Sequence, residues 1–279
     1  MIDFEKIKPI KGLVASVTMT GDVKPQFSMA FSSMRDFNSR NGLFNIEYRF
    51  FETKLVEAGR DTVLRHALTN KYEWVLMIDA DAAPFPEDAL VRMLYQMFIE
   101  KPAIDVLGVY AQVKNYPYLP VIDTGTGTWE AWMPGAGLLE VIRTGGHFLM
   151  IKTRVLRKFG PPWFRTRIPY SPAKAFRELD NFARTKLDGR NPLKEHPEWE
   201  TLMRQAMKES VPENVDLTHI GEDSGFCDAV RAAGGIIAVD TDIVAGHVAD
   251  KIIKPEDLWD AISKDTQRQF VSMGVNGYE

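Results

Sequence analysis

The sequence has few of the features that mark disulfide-stabilised or membrane-embedded proteins. Only Cys227 is a cysteine among 279 residues, so neither an intramolecular disulfide nor a cysteine-based zinc site can form. No apolar run approaches the ~20 residues that span a bilayer. Acidic residues precede any apolar stretch at the amino terminus, which is not the pattern of a secretory signal. We therefore expect a cytoplasmic protein with no membrane partner.

The charges are nearly balanced, with 34 Lys and Arg against 38 Asp and Glu and a formal net charge of -4. A surface that is basic throughout, as in many nucleic-acid-binding proteins, is therefore excluded. One segment departs from this balance, because residues 152–194 contain twelve Lys or Arg and three Asp or Glu. Such an excess can follow a phosphate backbone and predicts DNA binding, whereas a solvated, salt-bridged insertion is the alternative.

Apolar segments with strand and helix periodicity alternate along most of the chain. Strands are predicted at 13–19, 46–51, 74–78, 104–110, 138–143, 147–152 and 236–239, and helices at 26–40, 52–70, 87–100, 154–159 and 221–231. This alternation predicts an α/β fold with a mixed, mostly parallel sheet flanked by helices. We expect one domain over residues 1–250 with an insertion at about 161–214, followed by a C-terminal helical tail at 251–279.

Two aspartates, Asp79 and Asp81, follow the uninterrupted apolar run of residues 74–78. Such a run is typical of a central parallel strand, and ligands of open α/β sheets bind at the carboxyl ends of the strands. Carboxylates at positions i and i+2 can share one hard cation there, Mg²⁺ or Mn²⁺, and the cation can neutralise a diphosphate. The alternative is that Asp81 caps the helix predicted after it.

A second acidic pair, Glu222 and Asp223, lies at the predicted amino terminus of a late helix, and His247 follows downstream. A carboxylate at this place can take the proton of an attacking hydroxyl, although acids in a first helical turn also serve as caps. A neutral imidazole at His247 would complete a metal shell of aspartate and diphosphate. The alternative for His247 is a packed histidine without a ligand.

These segments together resemble GT-A glycosyltransferases, Rossmann-like enzymes that use nucleotide sugars. Residues 74–86, WVLMIDADAAPFP, are similar to the strand and DxD turn of that family. Gly221, Glu222 and Asp223 with the later His247 are similar to its ED motif and downstream histidine. Residues 58–61, Ala-Gly-Arg-Asp, stand where related family 2 enzymes often have Ala-Arg-Asn, and the final Asp is a departure.

The resemblance implies a metal-dependent enzyme that moves a sugar from a nucleotide-diphosphate sugar, with a UDP-sugar as the first expectation, to an acceptor hydroxyl. It implies a cation held by Asp79, Asp81 and His247. An inverting reaction would use Asp223 as the base, with Glu222 beside it as the second catalytic acid. Contacts to the nucleotide sugar are implied for Thr18, Arg60, Asp61, Asp79, Gly145 and Gly146.

Two of these donor contacts have ordinary structural alternatives. Residues 144–147, Thr-Gly-Gly-His, match the glycine turn that passes beneath the donor sugar in the family, where missing side chains let backbone amides approach a ligand. The same glycines would also suit a β-bulge, and His147 is assigned no role. For Arg60 the alternative is an ordinary surface ion pair.

No motif indicates the acceptor. The basic segment 152–194 makes a hydroxymethylated DNA base one candidate, as in small phage-type transferases that would act in the host cytoplasm, with a protein or glycan as the other. Two other functions stay open. A nucleotidyltransferase acting on a sugar phosphate would use the same carboxylates with two metals, although a basic Gly-rich loop after the first strand is missing. A non-catalytic carbohydrate- or nucleic-acid-binding module could keep the same fold.

Overall fold

The structure is a computed structural model. It describes residues 2–18, 23–113, 119–125, 130, 132–164, 221–248 and 252–253. The chain divides into two units, Met1–Arg165 with Asp223–Glu279, and Thr166–Glu222. Of the second unit only Gly221 and Glu222 belong to the described residues. Most of the predicted insertion and nearly all of the predicted helical tail therefore lie outside them, and both stay predictions.

Helices and strands alternate along the described chain. The helices are α1 (Phe4–Ile7), α2 (Pro25–Arg40), α3 (Val56–Thr69), α4 (Ala89–Tyr95), α5 (Thr153–Leu156) and α6 (Glu222–Ala232). The strands are β1 (Gly12–Thr18), β2 (Ile46–Glu52), β3 (Trp74–Asp79), β4 (Ile104–Tyr110), β5 (Ile122–Asp123), β6 (Leu138–Val141), β7 (Arg143–Thr144), β8 (Phe148–Lys152), β9 (Ile236–Val244), β10 (His247–Val248) and β11 (Ile252–Ile253). A π-helical turn, Gln96–Glu100, continues α4. No helix within this described part is long and apolar enough to cross a membrane.

Seven strands form the central sheet in the order β2-β1-β3-β8-β4-β9-β6. The pairings place β2, β1, β3, β4 and β9 in one direction, with β8 and β6 opposite to them. This arrangement confirms the predicted mixed, mostly parallel α/β sheet. The antiparallel β8 lies between β3 and β4, so the middle of the sheet is not the uninterrupted parallel array that an apolar strand such as β3 suggests.

Both faces of the sheet are covered, which explains why its central strands are apolar without alternation. Leu76 and Ile78 of β3 pack with α2 and α4 on one face, whereas Val75 and Met77 pack with α3, α5 and α6 on the other. Full burial of such a side chain contributes about 1.5–3 kcal/mol. Trp163 and Phe164 belong to the second cluster, so the start of the predicted insertion packs in the core.

Strand register determines which residues share the carboxyl edge of the sheet. Val17 is paired with Asp79, and Ile78 is paired with Phe148. The end of β3 therefore lies beside the end of β1 and beside His147, which directly precedes β8.

Candidate functional site

Three side chains converge at this edge in a group that could hold a metal ion. Asp81, His147 and His247 each offer one ligand atom, and these atoms lie within 4.8 Å of one another. The backbone fixes their approach, because the N–H of Val248 donates to the Asp81 carbonyl at 2.8 Å and that of Ala83 donates to the Gly246 carbonyl at 2.9 Å. The turn after β3 and strand β10 thus form one hydrogen-bonded unit.

Each histidine of this group is oriented by a backbone carbonyl. His147 Nε2 lies 3.0 Å from the Gly246 oxygen, and His247 Nδ1 lies 2.6 Å from the Gln112 oxygen. A carbonyl can only accept, so each of these nitrogens carries the proton. Such N–H-to-carbonyl bonds are the usual support of metal-bound histidines, because they direct the other ring nitrogen toward the metal.

The remaining ring nitrogen of His147 lies among carboxylates. His147 Nδ1 is buried and has no hydrogen-bond partner, and it stands 3.6 Å from Asp79 Oδ2 and 3.9 Å from Asp81 Oδ1. The His147 and His247 rings lie with centroids 3.4 Å apart. A nitrogen lone pair that faces carboxylate oxygens at these distances is suited to a shared cation.

A buried guanidinium lies beside this group. Arg60 of α3, whose side chain is 3% exposed, donates from Nη2 to both carboxylate oxygens of Asp79 at 3.1 and 3.3 Å. Its Nη1 donates to Asp223 Oδ1, and the N–H of Gly146 donates to Asp223 Oδ2 at 2.9 Å. Arg60 therefore joins the end of β3 to the first turn of α6.

The ion pair has an electrostatic consequence for Asp79. Burial by itself would raise the pKa of the Asp79 carboxyl, but the charge and hydrogen bonds of Arg60 outweigh burial and lower this pKa. Asp79 is therefore ionised at neutral pH. Arg60 offsets part of its charge, and Asp79 lies next to the three-residue metal group; its role as a metal ligand stays a prediction.

Gly146 is required by close packing. A Cβ built on Gly146 would lie 2.5 Å from Arg60 Nη1 and 2.7 Å from Asp223 Oδ1, so any side chain would displace the ion pair. Gly145 differs, because the three atoms nearest to its Cβ would all belong to the Val121 side chain, the closest at 3.0 Å. The two glycines predicted together thus have different nearest neighbours among the described residues.

The charges of the described site residues favour a divalent cation. Arg60 pairs with Asp79 and Asp223, and Asp81 lies with the two histidines, so these residues hold more carboxylates than guanidinium groups. A divalent cation would offset this excess. Imidazole ligands suit first-row transition metals, whereas Mg²⁺ prefers oxygen donors alone. The donor set of two imidazoles and one carboxylate therefore fits a transition metal.

The structure brings most of the predicted site residues together. Asp81 and His247 share the metal group, and Arg60, Asp79 and Asp223 form the adjacent ion-pair network. Glu222 is the first residue of α6, directly before Asp223. Their roles as metal ligands, donor contacts or catalytic acids stay predictions.

Two of the predicted donor contacts have other surroundings in the described residues. Asp61 Oδ1 accepts hydrogen bonds from the N–H groups of Trp163 and Phe164, both at 2.9 Å. Thr18 is buried at the end of β1, and its carbonyl accepts from the N–H of Thr53 at 2.9 Å. Neither residue belongs to the metal group or to the Arg60 network.

The sequence analysis missed His147 as a site residue. A histidine beside two glycines is ordinarily structural, and its importance depends on β8 lying next to β3, which no local pattern reveals. The Gln112 and Gly246 carbonyls that orient the two imidazoles were missed for the same reason, because any residue type can supply a carbonyl.

Sheet order, layers and the position of the site define a Rossmann-like mixed α/β protein. The solved structure of A197 from STIV is similar to this chain, with a TM-score of 0.55 and 18% identity over 89% of this chain and 92% of that one. This similarity shows a shared fold alone. No family model matches the chain, and no curated protein sequence matches it either.

Two other solved structures are more distant. A glycosyltransferase involved in the glycosylation of the major capsid of PBCV-1 has a TM-score of 0.32 and 10% identity, over 61% of this chain and 76% of that one. A CMP:2-keto-3-deoxy-manno-octonic acid synthetase complexed with CTP has a TM-score of 0.35 and 10% identity, over 72% and 100%. Similarities this distant carry no conclusion about activity.

Proposed function

We propose that this chain is a glycosyltransferase of the GT-A type that transfers a sugar from a nucleotide-diphosphate sugar to an acceptor hydroxyl and depends on a divalent metal. The observation that carries the proposal is the convergence of Asp81, His147 and His247 beside the pair of Arg60 and Asp223. Both groups lie at the carboxyl edge of the sheet, where open α/β folds bind their ligands.

Asp81, His147 and His247 would hold the cation. Bound there, a divalent ion supplies positive charge to the diphosphate that leaves as the glycosidic bond breaks. Asp79 is proposed to act beside it by holding Arg60, because both of its carboxylate oxygens accept from that guanidinium. Thr18, Asp61, Gly145 and Gly146 stay proposed donor contacts on the family resemblance, and of these Gly146 lies against Arg60 and Asp223.

Asp223 is proposed as the base. Arg60 and the Gly146 N–H fix one lone pair on each of its oxygens, and each carboxylate oxygen has a second lone pair that can accept. The acceptor hydroxyl would give its proton to Asp223 as its oxygen attacks the anomeric carbon. Direct attack by the acceptor oxygen inverts the anomeric centre, and Glu222 would be the neighbouring acid on the acceptor side.

A hydroxymethylated DNA base is the first acceptor we propose to test, with protein and glycan hydroxyls as alternatives. The basic segment 152–194 motivates this choice, but two of its cations are engaged within the protein. Lys152 Nζ donates to the carbonyls of Met97 and Pro102 at 2.6 and 2.8 Å. Arg154 pairs with Asp105 at 2.8 Å. The charge available to a phosphate backbone is therefore smaller than the sequence count suggests.

Donor hydrolysis tests the proposal directly. Wild-type protein would be incubated with a panel of nucleotide sugars, beginning with UDP-sugars, in Mn²⁺, Mg²⁺ or EDTA, and release of nucleoside diphosphate would be measured. We expect metal-dependent release that Asp81→Asn abolishes. The matched control is Asp36→Asn, which removes an aspartate that is 66% exposed on α2, and it should keep full activity.

Two further reactions separate the alternatives. Adding hydroxymethylated DNA should stimulate diphosphate release if DNA is the acceptor, whereas unmodified DNA should not. A nucleoside triphosphate offered with a sugar phosphate tests the nucleotidyltransferase, which would release pyrophosphate. No turnover in any reaction, together with no metal-dependent nucleotide binding, would refute the enzymatic function.

A further inference from the structure

A cavity lies at the opposite end of the strands from the candidate site. It has a volume of about 350 Å³, and its lining includes Lys71, Tyr72, Phe98, Lys152, Arg154 and Arg157. Register places it at the far end of β3, because Trp74 pairs with Lys152 whereas Ile78 pairs with Phe148 beside the candidate site. Four residues of strand, about 13 Å, separate these two pairs.

Positive charge dominates this cavity. Four of its lining residues are Lys or Arg, and Glu73 is the single acid. Arg154 is neutralised by Asp105. Among the described residues, the side chains of Lys71 and Arg157 make no ion pair or hydrogen bond, and both are exposed. Two unpaired cations thus face one cavity.

Lys152 adds a buried positive charge at the same place. Its ammonium group donates to the Met97 and Pro102 carbonyls and lies 4.7 Å from the centre of the Phe98 ring. Burial, followed by the nearby Arg154 charge, lowers the pKa of Lys152 to about 8. The ammonium group has thus lost part of its hydration on burial.

Lys71 has a backbone conformation that lysine does not favour. Its φ is 58°, directly after the C-cap of α3, where glycine is the residue that adopts this conformation without strain. The turn alone would therefore favour glycine. A lysine at this position supplies a cation to the cavity that the turn itself does not need.

We propose that this cavity binds a phosphate group. Guanidinium and ammonium donors recognise phosphate oxygens by charge-assisted hydrogen bonds, and the partly buried Phe98 ring among the cations would suit an attached base or sugar. The phosphate could belong to a nucleic-acid strand or to a small anion. The proposal uses none of the candidate site's residues and is independent of the proposed glycosyl transfer.

Pyrophosphate is the probe, with binding measured by isothermal titration calorimetry in EDTA so that no metal recruits it to the candidate site. We expect Arg157→Glu to weaken binding by about tenfold or more, as loss of a charge-assisted bond implies. Lys158→Glu is the matched control, because Lys158 is exposed, makes the same charge change and lies outside the cavity lining. It should change affinity by no more than about twofold, owing to screening.

Lys71→Gly separates ligand binding from folding. Glycine relieves the positive φ, so this variant should melt at a higher temperature than wild type while binding pyrophosphate more weakly. Absence of pyrophosphate binding in wild type, or equal losses in Arg157→Glu and Lys158→Glu, would overturn the proposal. Competition by a 5′-phosphorylated thymidine octamer identifies a nucleic-acid source, and competition by inorganic phosphate alone identifies a small anion.

Discussion

His147 and His247 each use one ring nitrogen to donate to a backbone carbonyl, and this determines which nitrogen is left for a ligand. For His147 it is Nδ1, which is buried near the oxygens of Asp79 and Asp81. The two imidazole rings are tilted by 38° with centroids 3.4 Å apart. With one nitrogen of each ring bonded to a carbonyl, the other nitrogens can approach one cation.

This arrangement predicts a transition-metal preference and a role for His147. We expect the protein to bind Mn²⁺ more tightly than Mg²⁺. His147→Ala should weaken Mn²⁺ binding by at least about tenfold, since even residues that only support a ligand contribute that much. Calorimetric titration with each metal measures both effects. As a control, His66→Ala removes a histidine of α3 that lies outside the metal group and should leave Mn²⁺ affinity unchanged. Equal Mn²⁺ affinities of wild type and His147→Ala would exclude His147 as a ligand.

Cys227 provides a test of packing at the single-residue scale. It lies on α6, fully buried, and burial raises the pKa of its thiol to about 12. At pH 8 only about one thiol in 10,000 would then be ionised, against roughly a quarter for a free cysteine. We expect negligible reaction with a disulfide reagent in the native protein and rapid stoichiometric reaction in urea, both followed by absorbance. Fast native reaction would mean that α6 does not pack as described.

At the scale of elements, Asp61 fixes the chain that leaves the sheet domain. One of its carboxylate oxygens accepts from two consecutive backbone N–H groups, those of Trp163 and Phe164. Phe164 in turn stacks on Phe226 of α6 with ring centroids 4.5 Å apart, and the Arg60 guanidinium lies 5.4 Å from the Phe164 ring centre. Asp61 thus holds Phe164 in place, and the Phe164 ring is one of the groups against which the Arg60 guanidinium packs.

We expect Asp61→Ala to destabilise the protein by about 2 kcal/mol or more, because two buried N–H groups lose their acceptor. Asp61→Asn keeps a carbonyl oxygen and should lose less. Urea denaturation measures both, with Asp36→Ala as a control that removes an exposed aspartate. Asp61→Ala as stable as wild type would contradict the structural role, and a loss of nucleotide binding at unchanged stability would favour the donor contact expected from sequence.

The elements were predictable where burial follows a local pattern. Strands β1 and β3 were predicted to within one residue, because an apolar run between turn residues reports burial on both faces. The end of β9 was not predicted, since Asp240, Thr241 and Asp242 interrupt the apolar pattern although the strand continues to Val244. The sequence also did not predict which strands lie next to each other in the sheet. The position of β8 between β3 and β4 depends on which buried strand pairs with which, and hydrophobicity does not encode this.

The candidate site was predictable to a similar extent. Carboxylates at the ends of elements can be recognised from sequence, and Asp81 and Asp223 lie where that reasoning predicts. Partners cannot be recognised in this way, because the bond between Arg60 and Asp223 spans 163 positions of the chain. From the sequence alone, Arg60 could equally be a surface residue in an ordinary ion pair. Only the tertiary contacts show that it is buried.

At the scale of the whole molecule, the two edges of the sheet carry opposite charge. Among the described site residues, the carboxyl edge holds more carboxylates than guanidinium groups, and the cavity at the other edge is lined by four Lys or Arg and one acid. The nearly neutral net charge of the chain is therefore the sum of two regions of opposite charge. A cation is attracted to one edge and a phosphate to the other.

The carboxylates at this edge predict that Mn²⁺ reverses which of two proteins, wild type or Asp81→Asn, has the higher melting temperature. Without metal, Asp81→Asn removes one of the two carboxylates that face His147 Nδ1, and with it part of their mutual repulsion, so this variant should melt at a higher temperature than wild type. With Mn²⁺ at about 100 times its Kd, binding to the native state should stabilise wild type by about 2.7 kcal/mol, which for a domain of this size raises Tm by roughly 5–10 °C. Asp81→Asn should gain little, so the order of the two melting temperatures reverses on adding Mn²⁺.

Differential scanning fluorimetry in EDTA and in Mn²⁺ measures this reversal. If Asp81→Asn and wild type gain equally from Mn²⁺, the stabilising ion binds elsewhere, and Asp81 is then only the end of a turn.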